Sequence, residues 1–145
     1  MKQSVLLTTA SVLSVLFFSL HLADDIVRGF EPGRPSNLFA VPIMVTWLYG
    51  TLVLSERRSG YVIVLLASFL GAGIPVLHFQ AAGGVAGGRI AESGGAFFWV
   101  WTLLALGVCA AFSVILSAHG LWNLRRGRSR PTAYDGPNEN PDRRG

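Results

Sequence analysis

The stretch AFFWVWTLLALGVCAAFSVILSAHGLW, Ala96 to Trp122, contains no Asp, Glu, Lys or Arg. As a helix rising about 1.5 Å per residue it would be about 40 Å long, more than the roughly 30 Å of a bilayer's hydrocarbon core. Because the bilayer core offers no water for hydrogen bonding, a spanning segment must pair its backbone groups internally, as an α-helix does. The stretch therefore predicts a transmembrane helix.

Three more apolar blocks without charged residues precede this stretch, and hydrophobic residues make up 51% of the chain. The segments between the blocks are too short to fold as soluble domains, which usually need about 40 residues or more. We therefore expect an all-α membrane protein, an antiparallel four-helix transmembrane bundle within residues 1–124. The expected spans are about 5–23, 38–54, 61–79 and 96–122.

The distribution of basic residues predicts the orientation, because Lys and Arg are concentrated in cytoplasmic loops. The N-terminus, the second loop and the tail carry nine of the twelve basic residues, against three in the other loops. The nine are Lys2, Arg57, Arg58, Arg125, Arg126, Arg128, Arg130, Arg143 and Arg144, and the three are Arg28, Arg34 and Arg89. We expect a multi-pass protein of a bacterial inner membrane with both termini in the cytoplasm.

The first block allows a second interpretation, a cleaved signal peptide. His21 stands where such a peptide would need a small residue, so we expect the block to be retained as a span. The net charge of +4 then reflects topology, and we expect no nucleic-acid partner.

The tail, residues 125–145, is predicted to be basic and then disordered. Its first part should attract anionic lipid headgroups. The residues expected to do so are Arg125, Arg126, Arg128 and Arg130. From Pro131 onward the sequence is polar and rich in Pro and Gly, a composition typical of disorder.

Small residues four positions apart, such as Ala67 with Gly71 and Gly107 with Ala111, favour close contact between helices. Packing within the bundle explains them, and a homo-oligomer interface is the alternative. The aromatic run from Phe97 to Trp101 lies where the last span enters the bilayer and is typical of an interfacial belt.

The stretch SLHLADDIVRGFEPG, Ser19 to Gly33, contains ionisable residues at the end of the first span. By helical rise, His21 lies about 24 Å from Val5, and His78 lies about 26 Å from Tyr61 on the third span. Both histidines are therefore expected at nearly the same level of the outer face. We call the candidate group there the His/Asp cluster: His21, Asp24, Asp25 and His78.

Imidazole nitrogens and carboxylate oxygens are ligands for Zn²⁺ or Fe, and two histidines at one level are compatible with haem. The same groups are compatible with proton transfer, since histidine titrates near neutrality. An ordinary helix end is the alternative: Asp24 and Arg28 are spaced for an ion pair, and Gly29 fits the position after the helix. The sequence contains no HExxH or CxxC motif that would support a metal directly.

The segments HLADDIVRGFEPG and ESGGAFFWVWTLLALGVCAAFSVILS resemble those of small uncharacterised four-span membrane proteins of bacteria. The resemblance implies a membrane location and supplies no catalytic residues. On the sequence alone we expect an integral membrane protein in a non-enzymatic accessory or interaction role. The alternatives are a metal, haem or proton site at the extracytoplasmic face, and a bundle that binds or modifies lipid.

Overall fold

The computed structural model describes residues 3–30, 33–80 and 94–128. They form four α-helices and, before the second of these, a short 3₁₀ helix at Pro35–Phe39. The helices are α1 (Gln3–Val27), α2 (Ala40–Leu52), α3 (Arg58–Gln80) and α4 (Ala96–Arg128). The described ranges contain no strand, which confirms the all-α prediction. The predicted disordered tail beyond residue 128, with Arg130, lies outside the described residues.

Three helices, α1, α3 and α4, are long and apolar enough to cross a membrane. The second predicted span differs from its expectation of residues 38–54, because α2 has only 13 residues. The residues before it adopt the 3₁₀ helix, which begins with a proline. Pro42 lies in the first turn of α2, where the missing N–H removes no intrahelical hydrogen bond.

Contacts between opposite ends of the helices show that neighbours run antiparallel. The Gln3 side chain at the start of α1 donates to the carbonyl of Leu116 near the end of α4. Ser19 Oγ, late in α1, lies 3.1 Å from Met44 Sδ, early in α2. Helices α2 and α4 each pack against both α1 and α3. In the described part of the chain, α2 and α4 therefore lie diagonally opposite each other.

The bundle interior is rich in small polar residues, whereas its outer surface carries large apolar ones. Ser14, Ser68 and Ser113 are completely buried, while Phe69 and Phe112 are mostly exposed. This arrangement is typical of helices packed in lipid, because small residues let the backbones approach closely and apolar side chains face the acyl chains. It agrees with the membrane location that the composition predicts.

Glycines lie where two of the closest interhelical contacts occur. A Cβ atom on Gly71 would lie 2.9 Å from the Trp47 ring, and one on Gly107 would lie 2.8 Å from the Pro75 ring. Both glycines are members of the small-residue pairs that the sequence analysis singled out. Packing within the bundle is therefore confirmed for these two positions.

Candidate metal centre

Helix α1 continues past the apolar block and ends in a turn that fixes Asp25. Gly29 has a φ of +70°, and its N–H bonds the Ile26 carbonyl at 3.1 Å. The N–H of Phe30 bonds the Asp25 carbonyl at 2.9 Å. These two bonds form the Schellman motif, in which glycine adopts the left-handed conformation without a steric cost. The predicted position of Gly29 after the helix is confirmed.

Asp24 lies apart from the other acidic residue of the cluster. Its Oδ2 accepts from Arg28 Nε at 2.8 Å, which confirms the predicted ion pair. Arg28 also donates to the backbone carbonyls of Gly94 and Gly95, just before α4. The pair therefore links the end of α1 to the start of α4, and the structure does not place Asp24 with the histidines.

The other three residues of the His/Asp cluster lie together, and we call them the His–Asp–His site. Asp25 Oδ2 lies 3.6 Å from His21 Nε2 and 3.6 Å from His78 Nε2. One nitrogen or oxygen atom from each residue lies within 4.8 Å of the others. His21 and Asp25 are 2% and 4% exposed, whereas the His78 side chain is 33% exposed. Two helices supply the site: α1 provides a histidine and the carboxylate one turn apart, and α3 provides the second histidine.

Each of the three side chains is also held by an atom that faces away from the common centre. Trp99 Nε1 donates to Asp25 Oδ1 at 2.5 Å. His78 Nδ1 lies 2.9 Å from the Ile74 carbonyl, and His21 Nδ1 lies 3.4 Å from Thr102 Oγ1. These contacts leave the remaining atom of each side chain directed toward the other two.

The hydrogen-bond partners assign the tautomers of the two histidines. A carbonyl only accepts, so His78 Nδ1 carries the proton that it donates to Ile74. Thr102 donates its own hydroxyl proton to the Trp99 carbonyl at 3.1 Å, so it accepts from His21 Nδ1. In a neutral imidazole with Nδ1 protonated, Nε2 bears the lone pair. Each Nε2 atom can therefore ligate a metal when its imidazole is neutral, and without a metal His78 hydrogen-bonds the Asp25 carboxylate.

One buried atom of the site lacks a partner. His21 Nε2 is inaccessible to solvent and forms no hydrogen bond with any atom of residues 3–30, 33–80 or 94–128. Leaving such an acceptor unsatisfied costs about 1–3 kcal/mol. A cation between His21 and Asp25 would remove this cost.

The site opens into a pocket of about 360 Å³. All three residues of the His–Asp–His site line it, together with Phe18, Leu22, Ser36, Asn37 and Ile74. Ser36 and Asn37 belong to the 3₁₀ helix, so that element forms part of the pocket wall. The pocket therefore borders the site, and His78 is the most exposed of the three residues there.

Sequence reasoning missed Trp99 and Thr102. Trp99 was assigned to an interfacial belt, yet it is 1% exposed and lies against both histidine rings, with centroid distances of 5.0 and 5.5 Å. The small polar residues Thr102, Ser113 and Ser117 recur at helical spacing and mark the buried face of α4, on which Trp99 also lies. His119, the third histidine, lies near the opposite end of α4 and is exposed.

No protein-family model, curated protein or solved structure matches the chain. The resemblance to four-span bacterial membrane proteins stays a prediction.

Proposed function

We propose that this protein is a membrane-embedded metal-binding protein in which His21, Asp25 and His78 hold a divalent transition-metal ion such as Zn²⁺ or Fe²⁺. The observation that carries the proposal is the convergence of two imidazole nitrogens and one carboxylate oxygen on a common centre. Nitrogen and carboxylate ligands of this kind suit zinc and non-haem iron. The accessory role expected from the sequence then becomes metal handling at the membrane.

Two of the distances in the site match those between the ligands of one ion. Ligands about 2.0–2.1 Å from a tetrahedral ion lie roughly 3.4 Å from one another. The separation of 3.6 Å from Asp25 Oδ2 to each Nε2 atom is close to that value. Charged hydrogen bonds are shorter, about 2.7–2.9 Å. The carboxylate is therefore spaced from each imidazole as in a coordination shell, and all three ligand atoms lie within 4.8 Å of one another.

The outer contacts support the same conclusion. Ligating histidines usually donate their second ring nitrogen to a carbonyl, carboxylate or water, and ligating carboxylates are themselves hydrogen-bonded. His78 and Asp25 have such partners in the Ile74 carbonyl and the Trp99 indole. His21 has its partner in the Thr102 hydroxyl. This second layer would orient all three ligands before the ion arrives.

Haem is a poorer fit than a single ion. Asp25 Oδ2 lies 3.6 Å from both Nε2 atoms, and the two imidazole rings are 5.1 Å apart between centroids. Two histidines that ligate one haem iron lie on opposite faces of the porphyrin plane, and the carboxylate occupies that space here. Of the two cofactors that the sequence left open, the geometry favours the metal ion.

Our proposal places the site at the extracytoplasmic end of a four-span bundle with both termini in the cytoplasm. Arg58 begins α3, and Arg125 and Arg126 lie near the end of α4, where a Cβ atom on Gly120 would touch the Tyr61 ring. These basic residues lie at the opposite end of the bundle from the site, as the positive-inside rule expects. The continuous helical backbone from Pro35 to Leu52 is about 30 Å long, which supports a fourth span.

The test is metal analysis of protein purified in mild detergent without chelator, before and after loading with Zn²⁺. We expect about one ion per chain in the unsubstituted protein. His21→Ala, His78→Ala and Asp25→Asn should each lose most of it, because each removes one of only three protein ligands. His119→Ala is the matched control and should retain the ion, since that histidine lies outside the site.

Two results would contradict the proposal. A blank after loading would show that the three acceptors do not hold a metal. Equal metal content in His119→Ala and His78→Ala would show that the ion is bound elsewhere.

A further inference from the structure

We infer that the ion's open coordination position binds the head group of a monoanionic amphiphile, a carboxylate or phosphate with an apolar tail. The inference rests on the proposed metal site and assigns a ligand to the pocket beside it. It is carried by the composition of the pocket wall, the charge of the loaded site and the number of protein ligands.

Three protein ligands leave at least one position of a zinc-type ion unfilled. In structural zinc sites four side chains close the shell, whereas sites that act on other molecules keep a position for water or substrate. The His–Asp–His site offers three ligand residues, and all three line the pocket. We take the open position to face this pocket, because all three ligand residues line it.

The charge of the loaded site favours an anion. Two neutral imidazoles and one carboxylate around a divalent cation give a net charge of +1. Within the described residues, Arg28 is already paired with Asp24, and the pocket lining includes no other acidic side chain than Asp25. A bound cation is the largest local charge in such a site, and one monoanion would neutralise it.

The pocket wall is divided into polar and apolar parts. Phe18, Leu22 and Ile74 provide an apolar wall, while Ser36 and Asn37 provide polar groups from the 3₁₀ helix. Asn37 Oδ1 accepts from the backbone N–H of Arg34 at 3.1 Å, so its side-chain amide presents N–H donors. Such donors suit the oxygens of an anionic head group, and the apolar wall suits the start of a hydrocarbon tail.

The pocket's size fits only part of an amphiphile. Ligand pockets commonly measure about 300–1,000 Å³, and this one, at about 360 Å³, lies at the low end of that range. It accommodates a head group and a few methylenes, and the rest of the tail would extend into the bilayer along the exposed apolar surface of the helices. A membrane amphiphile matches this geometry better than a fully soluble anion.

The test uses protein loaded with Co²⁺, whose visible absorption reports changes in its ligands. Octanoate, the monoanionic diester methyl octyl phosphate and acetate are titrated separately into the Co²⁺-loaded full chain. We expect a saturable spectral change with octanoate or methyl octyl phosphate at a concentration at least about tenfold lower than with acetate, because each buried methylene contributes about fourfold. Comparing the two long probes distinguishes a carboxylate from a phosphate head group.

Two variants test whether the hydrocarbon tail of the probe lies in the pocket. Leu22→Ala removes part of the apolar wall and should weaken octanoate binding at least about threefold, with little effect on acetate. Leu20→Ala is the matched control, because Leu20 is exposed and does not line the pocket. Octyl sulfate carries the same tail on a poorly coordinating head group and should give no spectral change.

The outcomes distinguish a failure of this inference from a failure of the metal proposal on which it rests. If Co²⁺ does not bind, both are wrong. If Co²⁺ binds but no probe changes its spectrum, the metal site stands and the fourth position is closed to anions. If acetate and octanoate bind equally, or if Leu20→Ala weakens octanoate as much as Leu22→Ala, the pocket does not hold a tail and the inference is overturned.

Discussion

Trp47 and Trp99 make the same contact at two levels of the bundle, with different consequences. Each donates its indole N–H to a side-chain oxygen on α1: Trp47 to Ser11 Oγ at 2.8 Å, and Trp99 to Asp25 Oδ1 at 2.5 Å. Around Trp47 the polar atoms satisfy one another completely. Ser11 bonds Thr51 at 2.6 Å, and Thr51 donates to the Trp47 carbonyl at 2.8 Å. We call this closed set the hydroxyl node.

In the His–Asp–His site the polar atoms do not all find hydrogen-bond partners, whereas in the hydroxyl node they do. Trp99 satisfies one carboxylate oxygen, while the other oxygen faces two imidazole nitrogens, and His21 Nε2 lacks a partner within the described residues. The comparison teaches that burial alone does not distinguish a structural polar group from a binding site. In these two regions the difference is whether every buried donor and acceptor is paired without a cation.

The largest expected difference between the two regions is the response of stability to metal. At a free Zn²⁺ concentration about 100 times the dissociation constant, binding to the folded state adds about 2.7 kcal/mol to the free energy of unfolding. Asp25→Asn should lose this stabilisation. Ser11→Ala should be less stable than the unsubstituted protein without metal, because the Trp47 N–H loses its acceptor.

Thermal unfolding in detergent with and without Zn²⁺ measures this difference. Ser11→Ala should gain as much stability from the metal as the unsubstituted protein does. A metal-induced rise in Tm for Asp25→Asn equal to that of the unsubstituted protein would remove the distinction between the two regions.

The next effect compares the two indoles directly. Trp99→Phe removes the donor that orients the Asp25 carboxylate, and the loss of such an outer partner typically lowers metal affinity about 10–100-fold. Trp47→Phe should leave metal affinity unchanged and lower only stability, by about 1–3 kcal/mol. Metal titration of both variants by competition with a chelating dye gives the two affinities. Equal affinities for the two variants would mean that Trp99 does not position the ligand.

Part of this arrangement was predictable from the sequence. Charge-free apolar blocks predict helices, and helical rise placed His21 and His78 at one level, where the structure brings them together. The sequence offered the Asp24–Arg28 pair as an alternative to the cluster and left open which aspartate joins the histidines. Adjacent residues on a helix point about 100° apart, and it is the position of Arg28 and the start of α4 that determines which aspartate faces the histidines.

Trp99 was missed because composition near a membrane interface favours an outward aromatic side chain. Its inward orientation depends on which face of α4 packs against α1 and α3, a tertiary property. The 3₁₀ helix at Pro35–Phe39, which completes the pocket wall, was likewise absent from the predicted second span. Its first three residues, Pro35 to Asn37, precede that span in a segment that was predicted to be a loop between helices.

A smaller effect is expected from the two threonines. Thr102→Val removes the acceptor of His21 Nδ1, while the long distance of 3.4 Å indicates a weak hydrogen bond. We therefore expect metal affinity to fall by a factor near the lower end of the range for outer partners, about tenfold. Thr51→Val alters the hydroxyl node and should not change metal affinity. An unchanged affinity for Thr102→Val, measured by the same dye competition, would show that the His21 tautomer is not fixed by this contact.

The smallest expected effect separates Asp24 from the ligands. Asp24→Asn keeps the shape of the side chain but removes the charge that pairs with Arg28. Exposed helical pairs of this spacing contribute about 0.3–0.5 kcal/mol, and the partial burial of this pair places it at or slightly above that range. Because Asp24 faces Arg28 and the start of α4, metal content should remain near one ion per chain.

If Asp24→Asn lost the ion as completely as Asp25→Asn does, the carboxylate that ligates the metal would have been misassigned. Retention of the ion in Asp24→Asn together with its loss in Asp25→Asn would instead show that two adjacent aspartates perform separate tasks, one linking helices and one binding the cation.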